Sequence, residues 1–153
     1  MNMSVDTKNL GYNTNLASEY LIMSLLCRVG KDAYLSLGNK KGVDIIVKTN
    51  AGAICIVEVK GVNKRDDWMI NNGGKFLIVP NLIYALVCFH GKIYNPTAPY
   101  DFWIIPAEKL GEVTEHKISK NQKTVYVSNK HIRTLYREYQ NNFKWLDEYL
   151  QNH

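Results

Sequence analysis

The chain has 153 residues, of which 46% are hydrophobic and 22% charged, so one domain with a sizeable core is expected. Its net charge of +5 and pI of about 9.0 suit a polyanionic partner, although basic charge alone does not establish one. The sequence shows no signal peptide and no apolar run of membrane-spanning length, and its three scattered cysteines argue against a disulfide framework, so we expect a cytoplasmic protein.

The first predicted element is a helix. Residues 1–13 form a loose polar lead, after which Thr14 or Asn15 can cap a helix that ends near residue 29. Glu19 lies on or beside the broad apolar face of this helix. The helix alone favours an acid that the helix dipole stabilises, and the alternative is a carboxylate directed at a site elsewhere in the fold.

A short strand over residues 33–37 leads into a glycine-flanked basic loop. Lys40 and Lys41 lie in this loop, directly before the next strand. Glycines beside them would let backbone and substrate approach closely. The two lysines could contact nucleic-acid phosphates, and a solvated lysine pair is an equally good interpretation.

The centre of the sequence predicts a β-hairpin. Its strands cover residues 43–47 and 53–60, and the loop between them contains an Asn and a Gly that can take a positive φ. A turn centred near the middle of this loop places Asp44 roughly opposite Glu58. Lys60 lies two residues beyond Glu58 and therefore points to the same face of the strand.

The polar residues of this hairpin need an explanation. The second strand is apolar on both faces, which indicates a central strand, and burying charges there is costly unless they are paired or bind a ligand. A lone Glu58–Lys60 ion pair is the simplest interpretation of a Glu-x-Lys pattern. Asp44 adds a second carboxylate, and two acids with one lysine beside them indicate a metal-dependent phosphodiester site.

Lys64 and Arg65 follow the hairpin and are further candidates for phosphate contacts. His90 is most simply a strand-end histidine, since no other His or Cys lies at metal-binding spacing. The apolar residues of the last stretch recur at helical spacing and predict one C-terminal helix over residues 129–150. The elements predicted between these points are a turn at 71–74, an apolar segment at 76–79, strands at 81–89, 102–105 and 124–127, and a short helix at 106–111.

Three segments resemble the PD-(D/E)xK nuclease superfamily. They are the helix ASEYLIMSLL with Glu19, the segment GVD with Asp44, and the segment EVK with Glu58 and Lys60. The resemblance implies a restriction-endonuclease-like α/β (α+β) fold: a mixed central β-sheet flanked by helices, with an αβββαβ core, in a single nuclease-like domain over 1–153. Val43 stands where the proline of the family's name would be, a departure that leaves the acid in place.

The resemblance also implies roles for these residues. Asp44 and Glu58, with the backbone carbonyl of Val59, would bind Mg²⁺ or Mn²⁺. Lys60 would position the attacking water or stabilise charge on the phosphorane, and Glu19 would complete the site through a metal-bound water. The chain would then be a Mg²⁺-dependent endonuclease that cleaves DNA in restriction, repair or mobile-element processing.

Two alternatives remain open at this point. The chain could be a catalytically silent nuclease-fold module that binds nucleic acid or protein. It could also be an unrelated α/β protein with a surface Glu58–Lys60 pair, which a Glu19 far from Glu58 would favour. The sequence does not decide between DNA and RNA, or between a monomer and a homodimer.

Overall fold

The computed structural model describes residues 5–37, 42–70, 79–111, 117–118, 121 and 124–152. A mixed sheet of five strands carries helices on its two faces, which confirms the predicted fold class. The elements in chain order are α1 (Leu10–Arg28), β1 (Asp32–Leu35), β2 (Ile45–Lys48), β3 (Ile54–Val62), β4 (Trp68–Ile70), β5 (Leu82–Cys88), β6 (Asp101–Pro106), α2 (Ala107–Gly111), β7 (Lys117–Ile118), β8 (Val125–Val127), α3 (Asn129–Leu135), a 3-10 turn (Arg137–Tyr139) and α4 (Lys144–Asn152).

The main sheet has the strand order β1-β2-β3-β5-β6, with β3 at its centre as its apolar composition predicts. β3 and β5 are parallel, and the other neighbours are antiparallel. The crossover from β3 to β5 contains β4, which joins a second, three-stranded sheet of order β4-β8-β7. The helix expected in this crossover is not found among its described residues. Residues 71–78 lie outside the described part of the chain, and with them the predicted turn and most of the predicted apolar segment.

The two faces of the main sheet bury two separate cores. Alternating side chains of β3 divide between them, because successive residues of a strand point to opposite faces. Cys55, Val57 and Val59 face α1 and α4, and Ile56 and Val62 face the side that carries the second sheet, α2 and α3. The second core includes the edge-to-face pair of Trp68 and Trp103, whose ring centroids are 5.7 Å apart.

Helix α1 begins earlier than the sequence predicts. The expected polar lead over residues 1–13 is wrong at its end, because the helix starts at Leu10. Thr14 does not cap the helix: its hydroxyl donates to the carbonyl of Leu10 at 2.7 Å, one turn back, and it therefore lies inside the helix. At the other end Gly30 adopts a φ of +78°, which fits its predicted place just after the helix.

The prediction of one C-terminal helix over residues 129–150 is wrong. The apolar residues of this stretch divide between the two cores: Ile132 of α3 packs on one face of the sheet and Leu146 of α4 on the other. One straight helix cannot cover both faces, so the chain crosses the edge of the sheet between α3 and α4. At the crossing Gln140 bridges to Trp103 of edge strand β6, and Asn141, with a φ of +54°, exchanges hydrogen bonds with the backbone of Phe102.

Two smaller expectations concern the cysteines and membrane insertion. Each of the three cysteines lies in an apolar stretch of the sequence, which predicts buried free thiols. This is confirmed for Cys55 and Cys88 and wrong for Cys27. Cys27 is exposed, because it is displaced around α1 from the buried Leu26. None of the described helices is both long and apolar enough to cross a membrane.

Candidate active site

The β2–β3 hairpin sets the geometry of the site. β2 pairs with β3 in antiparallel register from Ile45, opposite Val57, to Lys48, opposite Ile54, and Asp44 directly precedes the first paired residue. The backbone N–H of Asp44 donates to the carbonyl of Val57 at 3.2 Å, which fixes Asp44 beside β3. Glu58 and Lys60 lie on one face of β3, because residues two apart in a strand point to the same side.

The side chain of Asp44 hydrogen-bonds to the backbone of β3 just before β2 begins. Its Oδ2 accepts a hydrogen bond of 2.7 Å from the backbone N–H of Val59. The N–H and C=O of one strand residue point to the same side, so the carbonyl of Val59 also faces Asp44. Burial raises the pKa of Asp44, and the charge of Glu58 adds to the increase. The Val59 N–H and Lys60 oppose it without cancelling it.

Glu58 is the most deeply buried acid of the site. Its side chain is 4% exposed, and its Oε1 lies 2.8 Å from Nζ of Lys60, which is 28% exposed. Its Oε2 is buried and has no hydrogen-bond partner among the described residues. Gly42 lies beside this oxygen: its φ of +85° favours glycine, and an added Cβ would lie 3.8 Å from Oε2. The ion pair therefore satisfies only one of the two carboxylate oxygens.

Glu19 reaches the same place from α1. The helix packs tightly on β3 at Gly61, where an added Cβ would overlap the hydroxyl of Ser18 and lie 3.1 Å from the carbonyl of Thr14. Glu19, one residue after Ser18, is half-buried, and burial raises its pKa. The charge of Asp44 raises it further, while Lys60 lowers it. Glu19 lines the same cleft as Asp44 and Lys60, although α1 packs on the face of β3 opposite to the side chains of Glu58 and Lys60.

These side chains line one cleft of about 280 Å³, which we call the carboxylate cleft. Its lining residues are Asn15, Glu19, Asp44, Val59, Lys60, Gly61, Val62, Asp67 and Met69. The buried Glu58 lies below it, joined to the lining through Lys60. If all three predicted acids are ionised, they and Lys60 carry a formal charge of −2, which one divalent cation would balance.

Sequence reasoning missed two polar residues of this cleft. Asn15 was predicted only as a helix cap, yet it lies four residues before Glu19 and so shares its helix face, a spacing that could have indicated it. Asp67 comes from the segment before β4, and its Oδ1 accepts the backbone N–H of Asn129 at the start of α3. No local pattern in the sequence links residues so far apart.

The predicted phosphate-binding residues that the structure describes lie outside the carboxylate cleft. Lys64 and Arg65 do not line the carboxylate cleft but a second cleft of about 480 Å³ just beyond the end of β3. We call it the basic cleft, and its lining residues are Lys64, Arg65, His90, Lys92, Pro99 and Asp101. Lys40 and Lys41 lie outside the described residues.

The carboxylate cleft has donors that fit Mg²⁺ or Mn²⁺. Among the described residues no group of three or more His, Cys, Asp or Glu side chains is arranged to hold a metal ion. Two carboxylates and a carbonyl are nevertheless sufficient for Mg²⁺, which prefers oxygen ligands and keeps several of its waters. The Glu58 Oε2, buried without a described donor, and the Val59 carbonyl, which faces Asp44, match this requirement.

Comparison with known proteins gives little further information. No protein-family model matches the sequence, and none of the curated proteins matches it. The solved structure of a bacterial homing endonuclease resembles the chain with a TM-score of 0.47 and 11% sequence identity, over 92% of each chain. Likeness at this level establishes neither a family nor an activity, so function has to be inferred from the site.

Proposed function

We propose that the chain is a Mg²⁺-dependent endonuclease of the PD-(D/E)xK type that hydrolyses phosphodiester bonds of DNA. The observation that carries the proposal is the buried Oε2 of Glu58, which has no described donor and belongs to the residue between Val57 and Val59, the two β3 residues to which Asp44 hydrogen-bonds. A carboxylate oxygen kept from water without a donor is costly, and a bound cation would compensate for it.

Asp44, Glu58 and the carbonyl of Val59 would hold the metal ion. When bound, Mg²⁺ supplies Lewis-acid stabilisation of the phosphate and a water of lowered pKa. The Val59 N–H holds the Asp44 carboxylate in orientation, and Lys60 is fixed by Glu58 with its ammonium group in the cleft.

Lys60 has a second part in the proposed reaction. Its ammonium group would orient the attacking water and stabilise the negative charge that grows on the phosphate in the transition state. Glu19 would complete the site by holding a water in the cleft that it lines. A cytoplasmic location, a homodimeric state, and a role in restriction, repair or mobile-element processing accompany this proposal as predictions.

One observation favours the alternative of a catalytically silent nuclease-fold module. The Glu58–Lys60 ion pair at 2.8 Å already neutralises one acid of the site without a metal. A protein that had kept the fold for binding alone would retain this pair. The two proposals differ in whether cleavage depends on Asp44, which takes no part in the pair.

A cleavage assay separates the two proposals. Wild-type protein should nick or cut some form of DNA with Mg²⁺ or Mn²⁺ and not with EDTA, over supercoiled, linear, branched and single-stranded substrates. Asp44→Asn and Glu58→Gln should abolish cleavage, and Lys60→Ala should slow it about 10²–10³-fold, the usual cost of one transition-state charge contact. Glu148→Gln, an exposed acid of α4, is the matched control and should cut normally.

Two outcomes would contradict the proposal. Equal cleavage by wild type and Asp44→Asn would identify a contaminating nuclease. Tight DNA binding without cleavage, on every substrate and with both metals, would favour the silent module.

A further inference from the structure

The basic cleft is built where three strands of the main sheet end or begin. Lys64 and Arg65 follow the end of β3, His90 and Lys92 follow the end of β5, and Asp101 begins β6. Since β3 and β5 are parallel, their carboxyl ends meet at one edge of the sheet. This edge adjoins the carboxylate cleft, because Lys60 and Lys64 belong to the same continuous segment.

Asp101 is held in place by contacts at both of its carboxylate oxygens. Its Oδ2 lies 2.7 Å from Nε2 of His90 and accepts a 3.1 Å hydrogen bond from Nη1 of Arg133. Its Oδ1 accepts a 2.9 Å hydrogen bond from Nδ2 of Asn141. Both oxygens are therefore engaged, and the charge of Arg133 compensates that of Asp101, the one acid among the described residues that line the cleft.

The ring of His90 connects Asp101 to Arg65. With Nε2 held by Asp101, the other ring nitrogen, Nδ1, accepts a hydrogen bond of 3.5 Å from Nε of Arg65. The φ of +55° at His90 turns the chain so that the ring reaches back over the end of β3. The guanidinium of Arg65 is thus held at one nitrogen, and its two terminal nitrogens remain for a ligand.

The arrangement of Cys88, His90 and Asp101 also has the order of a nucleophilic triad. The Sγ of Cys88 lies 3.8 Å from Nδ1 of His90. Cys88 is 0% exposed, however, and its thiol donates to the carbonyl of Lys64 at 3.3 Å. A thiol that no substrate can reach is a structural group, so the cleft has no nucleophile of this kind.

The charges of the basic cleft are left for an external anion. The side chains of Lys64, Arg65 and Lys92 form no ion pair with a carboxylate of the described residues. Three uncompensated cations around one cavity raise the local concentration of anions and bind phosphate in particular. An arginine held at its Nε and presenting a fork matches the two free oxygens of a phosphodiester.

We propose that the basic cleft is a phosphate subsite for the DNA strand that passes through the carboxylate cleft, with His90 as the residue that positions Arg65. This inference rests on the proposed function for its choice of ligand. The four residues from Lys60 to Lys64 span at most about 14 Å when extended. At about 3.4 Å of helix rise per nucleotide, the phosphate held there is within about four nucleotides of the one cleaved.

Salt-dependent binding tests the subsite without relying on cleavage. The probe is a labelled DNA duplex titrated in EDTA at several salt concentrations. Lys64→Ala/Lys92→Ala should weaken binding to all sequences alike and reduce the slope of log K against log salt by about two. The matched control is Lys48→Ala/Lys109→Ala, which removes two exposed lysines at the opposite end of the sheet and should leave the slope near that of wild type.

A double-mutant cycle tests the positioning role of His90. His90→Ala and Arg65→Ala should each lower DNA affinity several-fold, and His90→Ala should have almost no further effect in the Arg65→Ala background. His90→Ala should lower the salt slope by no more than Arg65→Ala does, because its effect passes through that one cation. Additive losses would show that His90 does not act through Arg65.

The outcomes distinguish this inference from the proposed function. An unchanged slope in Lys64→Ala/Lys92→Ala, or an equal fall in the control pair, would overturn the subsite even if wild-type protein cuts DNA. A mononucleotide that bound as tightly as the duplex would overturn it as well, in favour of a small-molecule site. A slope that falls as expected in a protein that cuts nothing would retain the subsite and reject the nuclease.

Discussion

Two groups of acids in this protein have opposite electrostatic surroundings. Burial raises the pKa of Asp101, but hydrogen bonds from Asn141, Arg133, Gln140 and His90 outweigh it and hold the pKa at about 2. Burial raises the pKa values of Asp44 and Glu19 in the carboxylate cleft, and there the donors do not outweigh it. The cost of burying a carboxylate is therefore compensated by hydrogen bonds at Asp101 and left uncompensated in the carboxylate cleft.

We propose that this difference separates an acid that stabilises the fold from acids that bind a ligand. Asp101 ties His90, α3 and the crossing at Asn141 together, and a fully hydrogen-bonded acid of this kind stabilises the fold. Asp44 keeps a raised pKa in the carboxylate cleft, and Oε2 of Glu58 has no described donor. Natural proteins keep such groups chiefly where a ligand supplies the missing partner.

Gly61→Ala should cause the largest loss of stability. Its new Cβ would overlap Ser18 and push α1 from β3, and overpacking of this kind costs about 3 kcal/mol. The same shift would carry Glu19 out of the carboxylate cleft without touching Asp101. Urea unfolding measures the change. Gly11→Ala, in an open helical position, is the control and should be neutral or stabilising, and equal unfolding of both variants would contradict the tight contact.

Asp101→Ala should destabilise the protein by about 2 kcal/mol, because Arg133, His90 and Asn141 lose a shared acceptor. Asp32→Ala, at an exposed acid of the edge strand β1, is the control and should change the free energy of unfolding by no more than about 0.5 kcal/mol. Chemical denaturation of the two variants provides the measurement. A change at Asp101 as small as that at Asp32 would remove the distinction between the clefts.

Asp44→Asn should stabilise the protein, whereas Asp101→Ala should destabilise it. In EDTA it should raise the melting temperature, because the raised pKa of Asp44 means that its charge opposes folding, while the Asn side chain can still accept the Val59 N–H. Mg²⁺ should stabilise wild type and have little effect on the variant. Thermal unfolding with and without the metal tests both statements. A lower melting temperature in EDTA would show that the charge of Asp44 is already compensated.

The pH dependence of stability gives the smallest effect. The folded pKa of Asp101, about 2, lies below its ordinary value of 3.8, so its contribution is present above pH 3.8 and is lost as the pH falls towards 2. The folded pKa of Asp44 lies above 3.8, so its unfavourable contribution develops as the pH rises through that value. The advantage of Asp44→Asn in EDTA should thus be present at neutral pH and vanish in acid. Unfolding curves across this range would contradict the assignment if the advantage grew in acid.

The hairpin could be predicted from the sequence because its contacts are local. A short loop with a Gly at positive φ, here Gly52, fixes the register of two apolar strands, and this register brings Asp44, directly before Ile45, to the β3 residues on either side of Glu58. The central position of β3 follows from its apolar composition on both faces. The local pattern thus contained most of what positions the carboxylate cleft.

The C-terminal region shows what periodicity cannot predict. Ile132 and Leu146 belong to one series of apolar residues at helical spacing, yet they pack on opposite faces of the sheet. The break between them depends on the free edge of β6, whose Phe102 backbone pairs with Asn141. The Asp101 cluster was missed for the same reason, since its donors come from separate segments that only the fold brings together.

Calorimetric titration of Mn²⁺ into metal-free protein tests the central claim most directly. Wild type and Asp101→Asn should each show one saturable binding event, because the carboxylate cleft is intact in both. Asp44→Asn and Glu58→Gln should show none, because each lacks a ligand of the proposed site, and circular dichroism should show that both remain folded. Equal binding by all four proteins, or no saturable binding by folded wild type, would contradict the assignment of the carboxylate cleft as a metal site.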